Sequence, residues 1–506
     1  MKKLFFKNSE SLINVQNIRP IWLLVLGTVL MFLSQFTRNI DLLAWVSMVP
    51  FLVYLQLKTS WRSRLSVFLT LLIAWSLIVS KIITDPLPIV FTLLYSVPIT
   101  VFHFVGYLAY AKLSHTKIDS LVFPVAMVII EWMQYTLTPF ASWGIAAYTQ
   151  LDSINLLQSV SLFGMGGLSF LIYWTNAALA DLLLARKSIK QSLALPLGLI
   201  LLFSVYGHLR NDSFRTNGNK TLTVAAVGTD SQIAGMPLPD FDANVEDIKA
   251  IFERTAKAAD LGAQLVVWNE GSFYLTQENE AAWLDSISQI ATEKRIGLTA
   301  SYIVPVSFEP FLYENKYVMF SPNGLIDHSY LKHEPVPGEM AVKGKEEIVS
   351  TKMFNTNISG AICYDYDFPY LAKEHNQAKA DIVALPSSDW RGIDPIHTQM
   401  ASLRAIEQGH SVIRSTRFGL SAIINPNGEM QAQMSSFDDN EKILVGSVSS
   451  ERVFTLYSVI GDVVVYISMV LLGLTFLSLV KTKSRANSKR NQPAVFLRHS
   501  HSESSY

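Results

Sequence analysis

In Ile358-Ser359-Gly360-Ala361-Ile362-Cys363-Tyr364-Asp365, a run of strand length from Ile358 to Ile362 is followed directly by the chain's single cysteine. One cysteine makes no intrachain disulfide, so this thiol needs its own explanation. A free thiol titrates near about pH 8.5 and acts as a nucleophile at neutral pH only beside a base or a cation. Two other strand ends offer both. Glu270 lies just past the apolar run Gln264 to Trp268, and Lys332 directly follows Leu325 to Leu331. Layered α/β folds gather chemistry-bearing side chains at strand ends along one edge. Glu270 can then take a proton, and Lys332 can stabilise the charge of a tetrahedral intermediate. Each residue alone has an ordinary reading as well: a buried small hydrophobe, a turn carboxylate, a solvated lysine.

The runs around these positions alternate in type. Leu222 to Val227 is apolar and β-branched; Val245, Ile248, Phe252 and Ala259 mark one face of a helix; Gly297 to Val304 is again a strand. Tyr317 to Phe320 and Leu325 to Leu331 flank Asn323-Gly324 as a hairpin. Ile382 to Leu385 and Leu420 to Ile424 read as strands with a helix, His397 to Gln408, between them. Asn427-Gly428 reads as a second hairpin turn with Ile443 to Val448 as its return strand. This is an α/β layer architecture.

Charge divides the chain. Charged residues are 16% overall, thin from Ile21 to Leu209 and ordinary from Asn211 to Arg452, and the formal net charge is zero, which offers nothing to a nucleic acid. A helix crosses a bilayer with roughly 17 to 25 mainly apolar residues. Seven stretches before residue 210 fit, at about 21–36, 41–57, 65–83, 87–111, 121–138, 160–185 and 192–209, and an eighth runs from about Leu456 to Val480. Basic residues cluster in alternate loops: Lys2, Lys3, Lys7 and Arg19; Lys58, Arg62 and Arg64; Lys112 and Lys117; Arg186, Lys187 and Lys190; then Lys481 onward. The intervening loops hold only Arg38 and Lys81. By the positive-inside rule both termini are cytoplasmic and the large polar domain is outside. The expected plan is a cytoplasmic segment 1–20, a seven-helix membrane domain 21–209, an extracytoplasmic catalytic domain 210–455, a last span 456–480, and a basic, disordered tail 481–506.

The residues around the three strand ends add a resemblance. Val266-Val267-Trp268-Asn269-Glu270, Ser329-Tyr330-Leu331-Lys332-His333 and Gly360 to Asp365 fall in the order and approximate spacing of the Glu, Lys and Cys motifs of the nitrilase, or carbon-nitrogen hydrolase, superfamily. Ser388-Asp389-Trp390-Arg391-Gly392, Arg404 to Gly409 and Asn425-Pro426-Asn427-Gly428 look like it too. Seven spans before such a domain and one after it resemble the apolipoprotein N-acyltransferases, as do Trp143-Gly144, Tyr148-Thr149-Gln150 and Leu162-Phe163-Gly164. The resemblance implies a nitrilase αββα sandwich joined to a multi-span α-helical membrane domain. It implies Cys363 as nucleophile, Glu270 as base and Lys332 as oxyanion stabiliser, with Glu339, Tyr364, Asp365 and Trp390 supporting the site or binding substrate. It also implies the partners: a phospholipid acyl donor and a diacylglyceryl lipoprotein as acceptor.

Four departures stand out. Asn269 replaces the family's usual Pro, Asp365 its usual Glu, the stretch Lys332 to Glu339 is one residue short, and Thr229-Asp230-Ser231-Gln232 lacks the usual Gln-Gly-Asn signature. Ile362 to Pro369 looks close to soluble amidases, which keeps open a membrane-anchored amidohydrolase in which water resolves the thioester. No Gly-rich phosphate loop, dinucleotide fingerprint or His-carboxylate spacing points to a cofactor or metal. A catalytically silent membrane scaffold and a Cys-His dyad with His333 or His410 are the remaining alternatives. The loop Pro139 to Asn155, with Trp143 and Tyr148, reads either as an aromatic belt or as a lipid contact.

Overall fold

The computed structural model describes residues 19–36, 39–84, 88–114, 119–216, 220–233 and 238–490. Most of the expected segment 1–20, Arg38 and the tail beyond 490 lie outside them. The first part is helical: α1 (Pro20–Gln35), α2 (Asp41–Ala44), α3 (Val49–Leu57), α4 (Trp61–Ser80), α5 (Phe91–Leu113), α6 (Val122–Leu137), α7 (Ile154–Leu157), α8 (Val160–Leu183) and α9 (Ile189–Thr216). Local chemistry sets several starts. Pro20 opens α1, where a missing N–H costs nothing, and the Ser60 hydroxyl caps α4 by accepting from Ser63 N. The second expected span is broken between α2 and α3 by a turn at 45–48. Among the described residues, four helices are long and apolar enough to cross a membrane: α4, α5, α8 and the part of α9 from Ile189 to Phe214. Pro20–Gln35, Asp41–Leu57, Val122–Leu137 and Val463–Leu479 are apolar but shorter. Their outward faces expose Ile21, Trp22, Leu65, Leu69, Leu201 and Leu202, which water would not tolerate in such density. This is a membrane protein.

The sandwich follows as β1 (Thr221–Val227), α10 (Phe241–Asp260), β2 (Leu265–Trp268), α11 (Glu280–Lys294), β3 (Gly297–Phe308), β4 (Phe311–Phe320), β5 (Ile326–Leu331), β6 (Thr351–Met353), β7 (Thr356–Gly360), α12 (Pro369–Gln377), β8 (Ile382–Ser388), α13 (Ile396–Gln408), β9 (Ser411–Arg417), β10 (Leu420–Ile424), β11 (Met430–Ser435) and β12 (Ile443–Ser449). Two six-stranded sheets form, ordered β12-β1-β2-β3-β4-β5 and β11-β10-β9-β8-β7-β6. The pleat sorts the side chains. Leu265 and Val267 point into the layer between the sheets with Ile358, Ile382 and Ile413, whereas Val266 and Trp268 point outward onto α10 and α11. Val383, Leu385 and Val412 likewise face outward, packed with Ala372 of α12 and Ala401 and Ala405 of α13. The layers are therefore helix, sheet, sheet, helix.

Two expectations are corrected. The strand returning from Asn427-Gly428 is β11, paired antiparallel to β10, while β12 crosses to the other sheet and pairs with β1. The chain ends in α14 (Leu456–Ile460) and α15 (Val463–Arg490), so residues 481–490 continue a helix instead of forming a disordered tail.

Candidate active site

Each of the three candidate residues leaves a strand end of the sandwich. Glu270 follows β2, Lys332 follows β5, and Cys363 lies just past β7 on the facing sheet. All three are buried. Lys332 Nζ donates to Glu270 Oε1 at 2.8 Å and to Glu339 Oε2 at 2.7 Å. Burial alone would push this ammonium toward neutrality, but the two carboxylates outweigh it and hold Lys332 well above the usual lysine range. Burial would raise the Glu339 carboxyl, and Lys332 reverses the sign and holds it below the usual range. The third Lys332 N–H has no acceptor among the described residues, which leaves a donor for a developing oxyanion.

Burial pushes the Cys363 thiol well up, with Glu270 adding to the rise and Lys332 opposing it. The resting sulfur is thus a neutral thiol, whose hydrogen points at Ser388 O, 3.4 Å from Sγ. A thiol in this state reacts when its proton leaves as the bond forms, and Glu270, whose charge already acts on the sulfur, is the candidate group to take it. Cys363 also sits at φ +49°, a left-handed conformation unfavourable for a residue with a Cβ. Asp365 holds that turn closed: its carboxylate accepts from Ile362 N, Glu334 N and Tyr330 Oη. Asp365 is therefore a clamp on the turn, and its carboxyl, raised by burial, sits at about 6.

Asn315 was not legible from the sequence. From β4 its Nδ2 donates to Glu270 Oε1 at 2.7 Å and Glu339 Oε1 at 2.9 Å, fixing both carboxylates around the lysine. The shorter spacing before Glu339 does not displace it. The Asn269 and Thr229 departures are linked: Asn269 Oδ1 accepts from Thr229 N at 2.8 Å, a bond no proline could make.

His397 is the second residue missed. Cys363, Asp389 and His397 each place a donor atom within 4.8 Å of the others. Such a trio suggests a metal, but the imidazole is already engaged, with Nδ1 2.7 Å from Asp389 Oδ1 and Nε2 3.1 Å from the Asp367 carboxylate. Asp389 in turn takes both Arg414 Nη atoms, at 3.0 and 2.9 Å. Burial and Arg414, whose Nη2 comes 2.9 Å from Nδ1, disfavour a charged imidazole, yet Asp367 and Asp389 win and raise His397 to about 9. Burial would raise the Asp389 carboxyl, but Arg414 and then His397 hold it at about 2. His333 and His410 are not Cys363 partners: the first bonds Leu331 O and Glu346 O, the second Tyr366 Oη.

A largely apolar cavity reaches Cys363. Its wall runs into the helical part through Trp75, Ile78, Ile99, Phe140, Trp143 and Tyr148. The Pro139 to Asn155 loop thus lines the cavity with Trp143 and Tyr148. Tyr364 and Trp390 also line it, and both cross to the helical part: Tyr364 Oη donates to Pro139 O at 2.6 Å and Trp390 Nε1 to Ile82 O at 2.7 Å.

Comparison with known families agrees with both halves. Residues 27–178 match the apolipoprotein N-acyltransferase N-terminal domain, and residues 223–455 match the carbon-nitrogen hydrolase domain. The chain belongs to the apolipoprotein N-acyltransferase family. Apolipoprotein N-acyltransferases of Borreliella burgdorferi and Bradyrhizobium diazoefficiens are 24% and 27% identical over 421 and 412 residues, covering 74% and 72% of this chain and 77% and 74% of theirs. The Pseudomonas putida relative is 27% identical over 67% of this chain and 70% of its own. Among solved structures, an amidase from Nesterenkonia sp. is 19% identical, covering 46% of this chain and 91% of its own at TM-score 0.37.

Proposed function

We propose that this family member is an apolipoprotein N-acyltransferase, which moves a fatty acyl chain from a membrane phospholipid to the α-amine of a diacylglyceryl-cysteine at a lipoprotein N-terminus. The observation that carries this is the cavity: the thiol opens onto an apolar space walled by helices of the membrane part, which suits a lipid chain and not a small polar amide. Glu270 takes the thiol proton as Sγ attacks the ester carbonyl. The oxyanion forms against Lys332, and the lysophospholipid oxygen leaves with the proton from Glu270, giving a Cys363 thioester. The acceptor amine then attacks the thioester, Glu270 takes its proton, and the returned proton restores the thiol.

The membrane arrangement supports the same reading. The segments that touch the sandwich, at Lys81 to Ile82 and at 139–150, follow the ends of α4 and α6, and these are loops poor in Lys and Arg. The catalytic domain 210–455 is accordingly extracytoplasmic, both termini are cytoplasmic, and both substrates lie in the same outer leaflet. The test incubates the full chain with phospholipid vesicles and weighs Cys363-containing peptides. An acyl adduct discharged by a lipoprotein-like amine, and absent from Cys363→Ser, is expected. An adduct discharged equally fast by water alone would replace the transferase with an amidohydrolase-type outcome.

A further inference from the structure

Lys81 stands apart in the charge pattern. The loops on its side carry almost no basic residues, yet Lys81 follows α4 directly and lines the cavity that reaches Cys363. Its ammonium donates to the Gln35 main-chain oxygen at the end of α1, and among the described residues no carboxylate pairs with it. An ammonium at an apolar wall with one carbonyl for company keeps a large demand for an anion. The Gln35 side chain, with no hydrogen-bond partner among the described residues, lines the same cavity.

The position of Lys81 relative to the catalytic domain is set from both sides. Trp390 Nε1 holds the next residue's carbonyl, Ile82 O, at 2.7 Å. Gly392 packs so closely on this turn that a Cβ there would lie 2.7 Å from Lys81 O. A cation fixed in the wall of the same apolar cavity as the nucleophile matches one kind of ligand, a molecule with apolar chains and an anion at their head.

Resting on the acyl-transfer reading above, we infer that Lys81, with Gln35 beside it, is the subsite that binds the phosphodiester of the phospholipid acyl donor. The anion holds the donor's head at the cavity wall while its ester carbonyl lies at Cys363. A purely structural role, capping the last carbonyl of α1, is the alternative to be separated.

The full chain in detergent is acylated by phosphatidylglycerol or by a p-nitrophenyl ester of the same fatty acid, which has no phosphate, and the Cys363 adduct is timed by mass. Lys81→Met should slow the phospholipid reaction about ten- to a hundredfold, the loss of one charge-assisted hydrogen bond, and leave the p-nitrophenyl ester reaction unchanged. Lys81→Arg should retain most of the phospholipid rate. Equal slowing with both donors would make Lys81 a cap, and no slowing with either would remove it from donor binding. Inorganic phosphate that slows both donors equally, only in chains that keep Lys81, would assign the site to a free anion. If the unsubstituted chain takes acyl groups from the ester but never from phospholipid, the function proposed above fails instead.

Discussion

Cys363 combines a strained backbone with an unionised thiol, and both follow from neighbours that polar demand put in place. The turn stays at φ +49° because Asp365 accepts three hydrogen bonds around it. The sulfur stays protonated because burial and Glu270 outweigh Lys332. The Glu, Lys and Cys could be read in the sequence because each ends a recognisable strand. Asn315 and His397 could not: Asn315 lies mid-strand in β4, and His397 opens a helix far along the chain, so only the closed sandwich shows what they touch. His397 carries a pH prediction. Asp367 and Asp389 face it on either side, with Arg414 and the Cys363 thiol nearby, and its folded value of about 9 lies above the usual 6.5. A raised value means that the stabilisation is complete below about pH 6.5 and is lost as pH rises through about 9. The melting-temperature gap between the unsubstituted chain and His397→Gln should therefore narrow across that window. A gap that stays constant from about pH 6 to pH 10 would show that His397 is not charged in the folded protein.

Among the elements, the errors of sequence reading are as informative as the successes. β10 and the Asn427-Gly428 turn were legible, but the return strand was misplaced because β11, Met430–Ser435, alternates polar and apolar residues weakly while β12 is the stronger apolar run. β9 was passed over because Arg414 and Arg417 interrupt Ser411–Arg417; both are buried, one on Asp389 and the other on Ser231 O and Ile233 O. Charge in a central strand is affordable only with such partners, and those are invisible in one dimension. α8 shows an element shaped by one residue. Gly164 sits at φ +64°, and the next N–H, that of Met165, donates to Glu407 Oε1 at 2.6 Å instead of continuing the helix. A Cβ on Gly164 would come within 2.3 Å of the Tyr457 ring in α14. Gly164→Ala should thus cost about 2 to 4 kcal/mol, from the left-handed conformation together with the overlap. The check is the melting temperature of the purified chain; a drop of no more than a degree or two would mean that α8 straightens or α14 yields without penalty.

Across the whole molecule, the two parts share buried polar contacts that neither could satisfy alone. Arg404 of α13 pairs with Glu407 and also donates to Ser142 and Tyr148; Trp143 Nε1 donates to Asp367 at 2.8 Å; Gln158 Nε2 donates to Asn427 O at 2.9 Å. Such groups are costly to bury unpaired, so the joint fixes which end of the helical part faces the sandwich. That end carries the loops poor in basic residues, and the opposite end carries Lys58, Arg62 and Arg186. The sandwich therefore sits at the end of the helical part that the positive-inside bias assigns to the outer side. Because the chain has one cysteine, Cys363→Ser yields a background free of thiols in which single exposed cysteines report their side. In that background Glu309→Cys, on the exposed β3–β4 turn, should react with a membrane-impermeant maleimide in intact cells, whereas Lys58→Cys, at the other end after α3, should react only after the membrane is opened. The reverse labelling would place the cavity and its thiol on the cytoplasmic side and overturn the outer-leaflet reaction, even with every distance in the site unchanged.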